Sequence, residues 1–387
     1  MRVLYDHQAF VWSKYAGIPR YFSELINKLQ TYPDMDLIIP DFYTISEDYR
    51  ALHCRKRHLG DGIRNTILRD RIIYASLSTF NKNPTKLICT PVAKHESIKC
   101  IKNGCYDLFH PTHFDPYFQK HIGKKPYILT IHDLSVEIYP EYVSLTTDLR
   151  KNTEISIKNA SRFVADSYCT KRDFEEYYDV DSDLVDVIYL APTFDRNTIF
   201  RILNTYYPKY NRKKAYFLFV NMRTCRKNFY TLVNAIRKIL LERDMELICV
   251  GGGPFTKQEQ IFLQNSGIST RVIQCTVDNE ELCHLYKNAV AFLYPSVNEG
   301  FGIPILEAYA CGCPVVLSNA SCLPEIGGEG AAYFDPKSIR SIRDVTYEVM
   351  DNEKLRASLR EKGYKQLESF SWERCAEETK KSYERVL

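Results

Sequence analysis

No run of 18 or more apolar residues occurs anywhere in these 387 residues, so no stretch suits a bilayer-spanning helix. The opening "MRVLYDHQAFVW" lacks the basic-then-apolar order of a secretory leader and reads as a first strand running into a loop. Repeats of solenoid period and low-complexity tracts are also missing. Cysteine is not scarce, at 13, but the number is odd and the residues are scattered through apolar runs such as "LICT", "LICVGGG" and "VIQCTV". That pattern argues against a disulfide framework and for buried thiols in a reducing compartment. No pair has zinc-ligand spacing, and Cys311 and Cys313 in "CGC" are too close for C-x-x-C chemistry, so no metal site is expected. A strong charge of one sign is absent as well. The net charge is +4, with 45% hydrophobic and 26% charged residues, the range of a soluble globular chain.

The modest charge is unevenly spread. Residues 1–125 carry 19 Lys and Arg against 12 Asp and Glu, and residues 50–102 carry 12 against 3. Within that region "RKRHLGDGIRNTILRDRIIYASL" sets Ile63, Ile67, Leu68 and Ile72 at helical spacing beside many cations. Such a segment suits an anionic membrane surface or an anionic acceptor, and equally a solvated helix face. No nucleic-acid-binding module accompanies the charge, so no nucleic-acid partner is expected.

Both halves alternate short apolar runs with helix-period segments, the pattern of parallel α/β domains. Strands are expected at "RVLY", "DLII", "KLICT", "YDLFH", "YILTIH", "RFVADS" and "DVIYL" in the first half. In the second half they are expected at "YFLFVN", "ELICVGGG", "RVIQCTV", "VAFLYPS" and "PVVLSN". Phe22, Leu25, Ile26 and Leu29 make one helical stripe; Phe229, Leu232, Val233, Ile236 and Leu240 make another. Asp278 with Glu281 three residues on has the form of a capping box. The region 191–215, rich in proline, tyrosine and charge, breaks the rhythm and reads as a linker. The expectation is therefore two Rossmann-like domains, 1–195 and 215–371, facing one another across a cleft. In open parallel sheets ligands sit beyond the C-terminal strand ends, where the following motifs fall.

"NEGFGIPILEAYACGCPVV", Asn298 to Val316, sets Glu299 and Glu307 eight positions apart around a glycine turn. Gly300 and Gly302 let a ligand approach the backbone, and Pro304 suits the first turn of a helix. The N–H groups and dipole of that helix start favour a phosphate or a hydroxyl-rich group. Glu307, about one turn in, suits two neighbouring hydroxyls such as a ribose offers. In "FVNMRTCRKNF", Arg223, Arg226 and Lys227 crowd a strand end, which is costly unless an anion lies between them; Arg223 and Lys227 are favoured as diphosphate ligands. "GGGPF" lacks the G-x-G-x-x-G spacing and reads as a tight turn. His132 in "TIHDL" stands at a strand end, with structural and functional readings evenly weighed, and Gly17 opens a helix. Ser167 and Thr170 are expected to cap a helix. The acid pairs Asp34/Asp36 and Asp181/Asp183 precede strands, where a metal-holding pair for a nucleotide sugar is not expected.

Glu299 through Glu307 resemble the E-x7-E motif of the family 4 retaining glycosyltransferases, which have the two-domain GT-B fold. "MRVLYDHQAFVWSKYAGIPRYFSEL", "DLFHPTHFDPY", "LTIHDL", "VADSYCTKRDF", "FVNMRTCRKNF" and "LPEIGGEGAAYFDP" resemble family blocks in family order, with a gap at about 44–105. The opening is most similar to enzymes that build polysaccharides such as O-antigens. The resemblance implies that Glu299 contacts donor-sugar hydroxyls, with help from the N–H groups of Phe301, Gly302 and Ile303. It implies that Glu307 holds the ribose, Arg223 and Lys227 the diphosphate, and Thr276 and Val277 the base. His132 would lie near the reacting sugar, Gly17 in the loop approaching donor and acceptor, and the helix 372–387 back on the first domain. Two departures stand out: Ala16-Gly17 where two glycines are common, and Asn221 where glycine is common. Neither is expected to touch the acids or the cations.

The resulting expectation is a retaining hexosyltransferase moving a sugar, mannose or a relative, from a GDP-sugar in preference to a UDP-sugar, with no metal requirement. Its acceptor would be a glycan or lipid-linked glycan hydroxyl, and its place the cytoplasm, with peripheral membrane contact through 50–102. The alternatives are a nucleotide-sugar epimerase or a phosphorylase on a similar scaffold, or a non-catalytic nucleotide-sugar-binding protein. A phosphorylase would need a pyridoxal-phosphate lysine, and none is identifiable.

Overall fold

Strand-forming runs of Val, Ile, Leu and aromatic residues, buried on both faces, are what a parallel sheet requires, and every ladder among the described residues is parallel. The computed structural model describes residues 1–11, 17–42, 44, 46–50, 52, 90–142, 146–206, 208 and 214–387. The basic segment 55–77 and all but the last residue of "KLICT" lie outside them; that last residue, Thr90, opens the helix Thr90–Asn103. The chain divides into two compact units: Met1–Asp166 with Thr170–Leu190 and Trp372–Leu387, and Ser167–Cys169 with Ala191–Ser371.

The first unit contains β1 (Arg2–Tyr5), β2 (Asp36–Ile38), β3 (Leu108–His110), β4 (Ile128–Ile131), β5 (Arg162–Ala165) and β6 (Val185–Val187). They pair as β2-β1-β3 and β4-β5-β6, and a bridge between Phe109 and Tyr127 joins the two sets. The helix Gly17–Leu29 buries Phe22, Leu25, Ile26 and Leu29 completely, as its spacing foretells. Against it lies the last helix, Trp372–Glu384. Tyr383 anchors that helix from inside. Its hydroxyl lies 2.6 Å from that of Tyr5 and 2.7 Å from His110 Nδ1, and His110 Nε2 is 2.9 Å from the Thr130 hydroxyl. Burial, reinforced by His132, pushes His110 down to about 3, so this buried chain of hydrogen bonds runs through a neutral ring.

The second unit contains β7 (Tyr216–Val220), β8 (Glu246–Val250), β9 (Val272–Cys275), β10 (Ala291–Tyr294), β11 (Val315–Ser318) and β12 (Ala331–Phe334). Their order is β12-β11-β10-β7-β8-β9, so the winding reverses between β7 and β10. Ligands of doubly wound sheets bind at the carboxyl ends of the strands flanking such a reversal. The helix Phe229–Glu242 closes one face with Phe229, Leu232, Val233, Ile236 and Leu240, all fully buried. Nine of the eleven described cysteines are buried, and all eleven are free thiols.

Three elements depart from the sequence reading. Within the region read as a linker, Arg196–Thr205 is a helix, capped by Asp195, whose side chain accepts from Thr198 N, and buried through Ile199 and Ile202. Its N-cap and i, i+3 isoleucines are the signal that the surrounding prolines and tyrosines obscured. The edge strand β12 and the helix Ile339–Asp351, capped by Ser338, were not foreseen. At Asp278 only half of the capping box forms, with the side chain accepting from Glu281 N. The reciprocal box is at Thr256 and Glu259.

Ile236 packs among Phe217, Leu247 and Leu293 in the core of the second unit. Ile236→Ala is expected to destabilise that unit by about 2–5 kcal/mol, read from urea unfolding; an unchanged midpoint would contradict this packing.

Candidate active site

Immediately after β7, Asn221 to Lys227 turn through a short 3-10 segment, Cys225–Lys227, closed by Asn228 in the left-handed region at φ 56°. Two bonds fasten this turn to the segment after β10: Val297 N donates to Arg226 O at 3.0 Å, and Arg226 Nη1 donates to Asn298 O at 3.2 Å. The two strands flanking the reversal thereby deliver Lys227 and Glu299 to one place. Lys227 Nζ is 2.6 Å from Glu299 Oε2, and each side chain is only 10% exposed. Burial pushes the Glu299 carboxyl up, but Lys227 and Arg226 outweigh it and hold it below the usual glutamate range. Asn221 Nδ2 donates to Glu299 Oε1 at 3.2 Å, which corrects the expectation that this residue leaves the acids untouched. Burial and the adjacent Glu299 both raise Tyr294, which remains a neutral phenol.

The chain beyond Glu299 is fixed through its carbonyls. Ser321 Oγ donates to Glu299 O at 2.8 Å, and Ser167 Oγ donates to Gly300 O at 2.8 Å. The N–H groups of Tyr168 and Cys169 donate to the Glu325 carboxylate at 2.7 and 3.0 Å. Gly302 has φ 102°, and a Cβ there would stand 3.0 Å from Ile305 Cδ1, so glycine is required at this turn. It precedes the helix Ile303–Ala310, with Pro304 in the first turn and no side-chain cap. Phe301 buries its ring against Phe370, leaving its backbone as the part that can meet a ligand. Glu307 is buried within the helix, with Oε1 accepting from Thr193 Oγ1 at 2.5 Å and Oε2 from Tyr286 at 3.3 Å. Thr276 and Val277 follow β9, the first exposed and the second half-buried.

Arg223 stands apart from this group, a correction to its grouping with Lys227. Its Nε donates to Glu259 Oε1 at 2.7 Å, Nη1 to Gly251 O at 2.7 Å and Nη2 to Gly253 O at 2.8 Å. With a side chain 2% exposed and all three nitrogens engaged, it braces the glycine loop rather than offering its fork to an anion. The loop needs glycine for the same reason: a Cβ at Gly252 would lie 2.9 Å from Arg223 Nη1, and one at Gly251 3.0 Å from Asn221 O. Glu259 was missed, although Thr256-x-x-Glu259 carries a capping-box signature.

Within the first unit, His132 follows β4 and holds Asp166 Oδ2 at 2.8 Å through Nδ1. Its Nε2 is buried with no hydrogen-bond partner among the described residues. Burial raises the Asp166 carboxyl while His132 opposes the rise. Tyr21 sets its ring edge-on to His132 at 5.3 Å, from the helix that Gly17 opens. A Cβ on Gly17 would meet no described atom within 4 Å, so packing inside this unit does not demand glycine there. His132 also borders a cavity of about 210 Å³, with Ile18, Phe114, Leu134 and Glu137 among its walls.

The parallel ladders and the reversal between β7 and β10 are those of a doubly wound α/β protein, and comparison with known proteins narrows the class. The fold matches Anabaena Alr3699/HepE in complex with UDP and glucose over 99% of each chain, at TM-score 0.69 and 16% identity, and is of the GT-B class. Over 267 residues the sequence is 27% identical to O-antigen chain mannosyltransferase B of Escherichia coli, covering 66% of this chain and 69% of that protein. It is 28% identical over 214 residues to O-antigen chain mannosyltransferase RfbU of Salmonella typhimurium, covering 55% of this chain and 58% of that protein, less than two thirds of its length. Residues 207–366 match the family of glycosyl transferases group 1. Through that segment the chain resembles the group 1 glycosyltransferases.

The Arg223–Glu259 pair makes a stability prediction separate from catalysis. Arg223→Ala leaves a buried carboxylate unpaired and is expected to destabilise the second unit by about 3–5 kcal/mol in denaturant unfolding. Burial raises Glu259, but Arg223 and Thr256 outweigh it, so the folded value is depressed. Its stabilisation is complete above the unfolded value of about 4.3 and is lost as pH falls through the lower folded value. Glu259→Gln is therefore expected to unfold with a weaker dependence on acid; an identical acid profile would contradict the assignment.

Proposed function

We propose that this glycosyltransferase moves mannose, or a closely related sugar, from a GDP-sugar to a hydroxyl of a glycan or lipid-linked glycan, with retention at the anomeric carbon. The observation that carries the reading is the buried Lys227–Glu299 pair at the reversal point of the second unit's sheet. Mannose is favoured by the two O-antigen mannosyltransferase relatives. A UDP-sugar is the next candidate.

Lys227 offers three donors, of which Glu299 takes one, so the ammonium can serve a diphosphate oxygen at the same time. Arg226 adds positive charge beside it. Glu299, kept ionised by both cations, accepts hydrogen bonds from donor-sugar hydroxyls. The N–H groups of Phe301, Gly302 and Ile303 lie at a helix start, whose dipole favours the same negatively charged donor. Glu307 receives the ribose hydroxyls, and Thr276 and Val277 flank the base. In the first unit, His132 Nε2 accepts a sugar hydroxyl and Gly17 leaves room at the helix start. Arg223 acts through the glycine loop, as a positioning residue.

In the proposed reaction the bond from the anomeric carbon to the β-phosphate oxygen breaks while the acceptor oxygen bonds to the same face of that carbon. The acceptor's proton passes to the departing phosphate oxygen. A covalent route would require a nucleophilic carboxylate paired with an acid about 5–5.5 Å away. Glu307, held by Thr193 and Tyr286, is assigned instead to the ribose. The residues' contribution is electrostatic: fixed cations meet the charge that grows on the leaving group. No metal is assigned a role.

Among the described residues no helix is long and apolar enough to cross a membrane. We place the enzyme's work at the cytoplasmic face, with the basic stretch 50–102 as its proposed contact with anionic lipid.

Lys227→Ala is expected to reduce transfer from labelled donor about 100–1000-fold; near-normal turnover in folded protein would remove Lys227 from the leaving-group role. Glu299→Gln is expected to damage transfer far more than nucleoside-diphosphate binding, and equal loss of both would contradict its assignment to the sugar. A thermal-shift series with GDP-, UDP- and dTDP-sugars tests the donor: the largest stabilisation is expected from GDP-mannose, and none from any GDP-sugar would overturn that choice.

A further inference from the structure

The side chain at the end of β7 has an orientation dictated by its own backbone. Asn221 Oδ1 accepts from the N–H of Met222 at 2.8 Å, so the amide nitrogen must face the other way. There Nδ2 meets the Tyr294 hydroxyl and Glu299 Oε1, each at 3.2 Å. The backbone is equally constrained, because Asn221 N donates to Val250 O at 3.0 Å and Gly251 closes over Asn221 O. Arg223 in turn clamps the carbonyls of that glycine loop. Asn221 is therefore a fixed donor aimed at one oxygen of Glu299, while Lys227 holds the other.

The two anchors differ in a way that matters for catalysis. Lys227 carries charge and is the group proposed to engage a diphosphate; Asn221 is neutral, offers the diphosphate no charge, and has no reason to move. We infer that Asn221 is a positioning residue for Glu299, keeping the plane of its carboxylate fixed while Lys227 is shared with the leaving group. This rests on the roles proposed above for Glu299 and Lys227.

The test uses the full-length protein and GDP-mannose with an acceptor. Asn221→Asp keeps the shape but replaces the donor with an acceptor beside Glu299. Loss of a hydrogen bond to a charged group predicts a kcat about 10–100-fold lower near neutral pH. The donor KM is expected to change less than about threefold, because the proposed diphosphate contacts are untouched. Two facing carboxyls share a proton, which restores a donor, so the deficit is expected to narrow several-fold from about pH 8 to about pH 6. A purely structural lesion would not recover in acid. Asn221→Gly removes the donor without adding charge and is expected to lose kcat with no such recovery.

A kcat for Asn221→Asp within twofold of the parent, or a deficit constant with pH and accompanied by a raised KM, would overturn the inference. If Asn221→Asp does not fold, Asn221→Gly decides: parental kcat overturns the inference. Glu299→Gln is run in parallel. Normal transfer by that variant overturns the functional reading and this inference together, whereas an inactive Glu299→Gln beside a normal Asn221→Asp overturns the inference alone.

Discussion

Taking an ammonium and a carboxylate out of water costs several kcal/mol for each ion, and only close pairing with further hydrogen bonds offsets it. Lys227 and Glu299 meet that constraint at 2.6 Å, nine-tenths buried, and much of the second unit follows from it. The 3-10 turn after β7 presents the lysine, and Asn228, in the left-handed region, closes that turn. The carbonyl of Glu299 is held by Ser321 and Cys322, so the acid cannot drift from its partner. Asn221 satisfies the second carboxylate oxygen. A salt bridge this buried is weak evidence for stability and marks the position as a candidate functional site.

The crowd of cations in "MRTCRK" resolves into three separate duties. Arg223 turns to Glu259 and to the glycine-loop carbonyls. Arg226 donates to Asn298 O and lends charge to Glu299. Lys227 forms a direct ion pair with Glu299. Such a division suits the chemistry of the two side chains. A planar guanidinium fork can satisfy several carbonyls at once, and a compact ammonium on a flexible stem can be shared between two anions.

Much of this architecture could be read from the chain. "YFLFV" and "ELICV" are continuous apolar runs because a central parallel strand is covered on both faces, and the stripe from Phe229 to Leu240 has helical period because one face alone is covered. What escaped lacked a local signal or depended on distant partners. The strand at "AAYF" opens with two alanines and is half-exposed at its middle residues, so neither composition nor alternation marks it. The helix Arg196–Thr205 hides among prolines and tyrosines, and its apolar face is short. The site's residue types at the strand ends were legible, but their pairing was not. Arg223 finds Glu259 36 positions away, and Asn221 finds Glu299 78 positions away. No spacing rule reaches that far; the reversal between β7 and β10 brings the second pair together. The segment 55–77, where the sequence concentrates its positive charge, lies outside the described residues.

The central claim is that the reversal point of the second unit receives a nucleoside diphosphate whose departing phosphate meets Lys227. The most direct measurement is a crystal structure of the protein soaked with GDP. The account predicts density for the β-phosphate within hydrogen-bonding reach of Lys227 Nζ, about 3 Å, and for the ribose at Glu307. A nucleotide bound elsewhere, with Lys227 still paired to Glu299 alone, would contradict it.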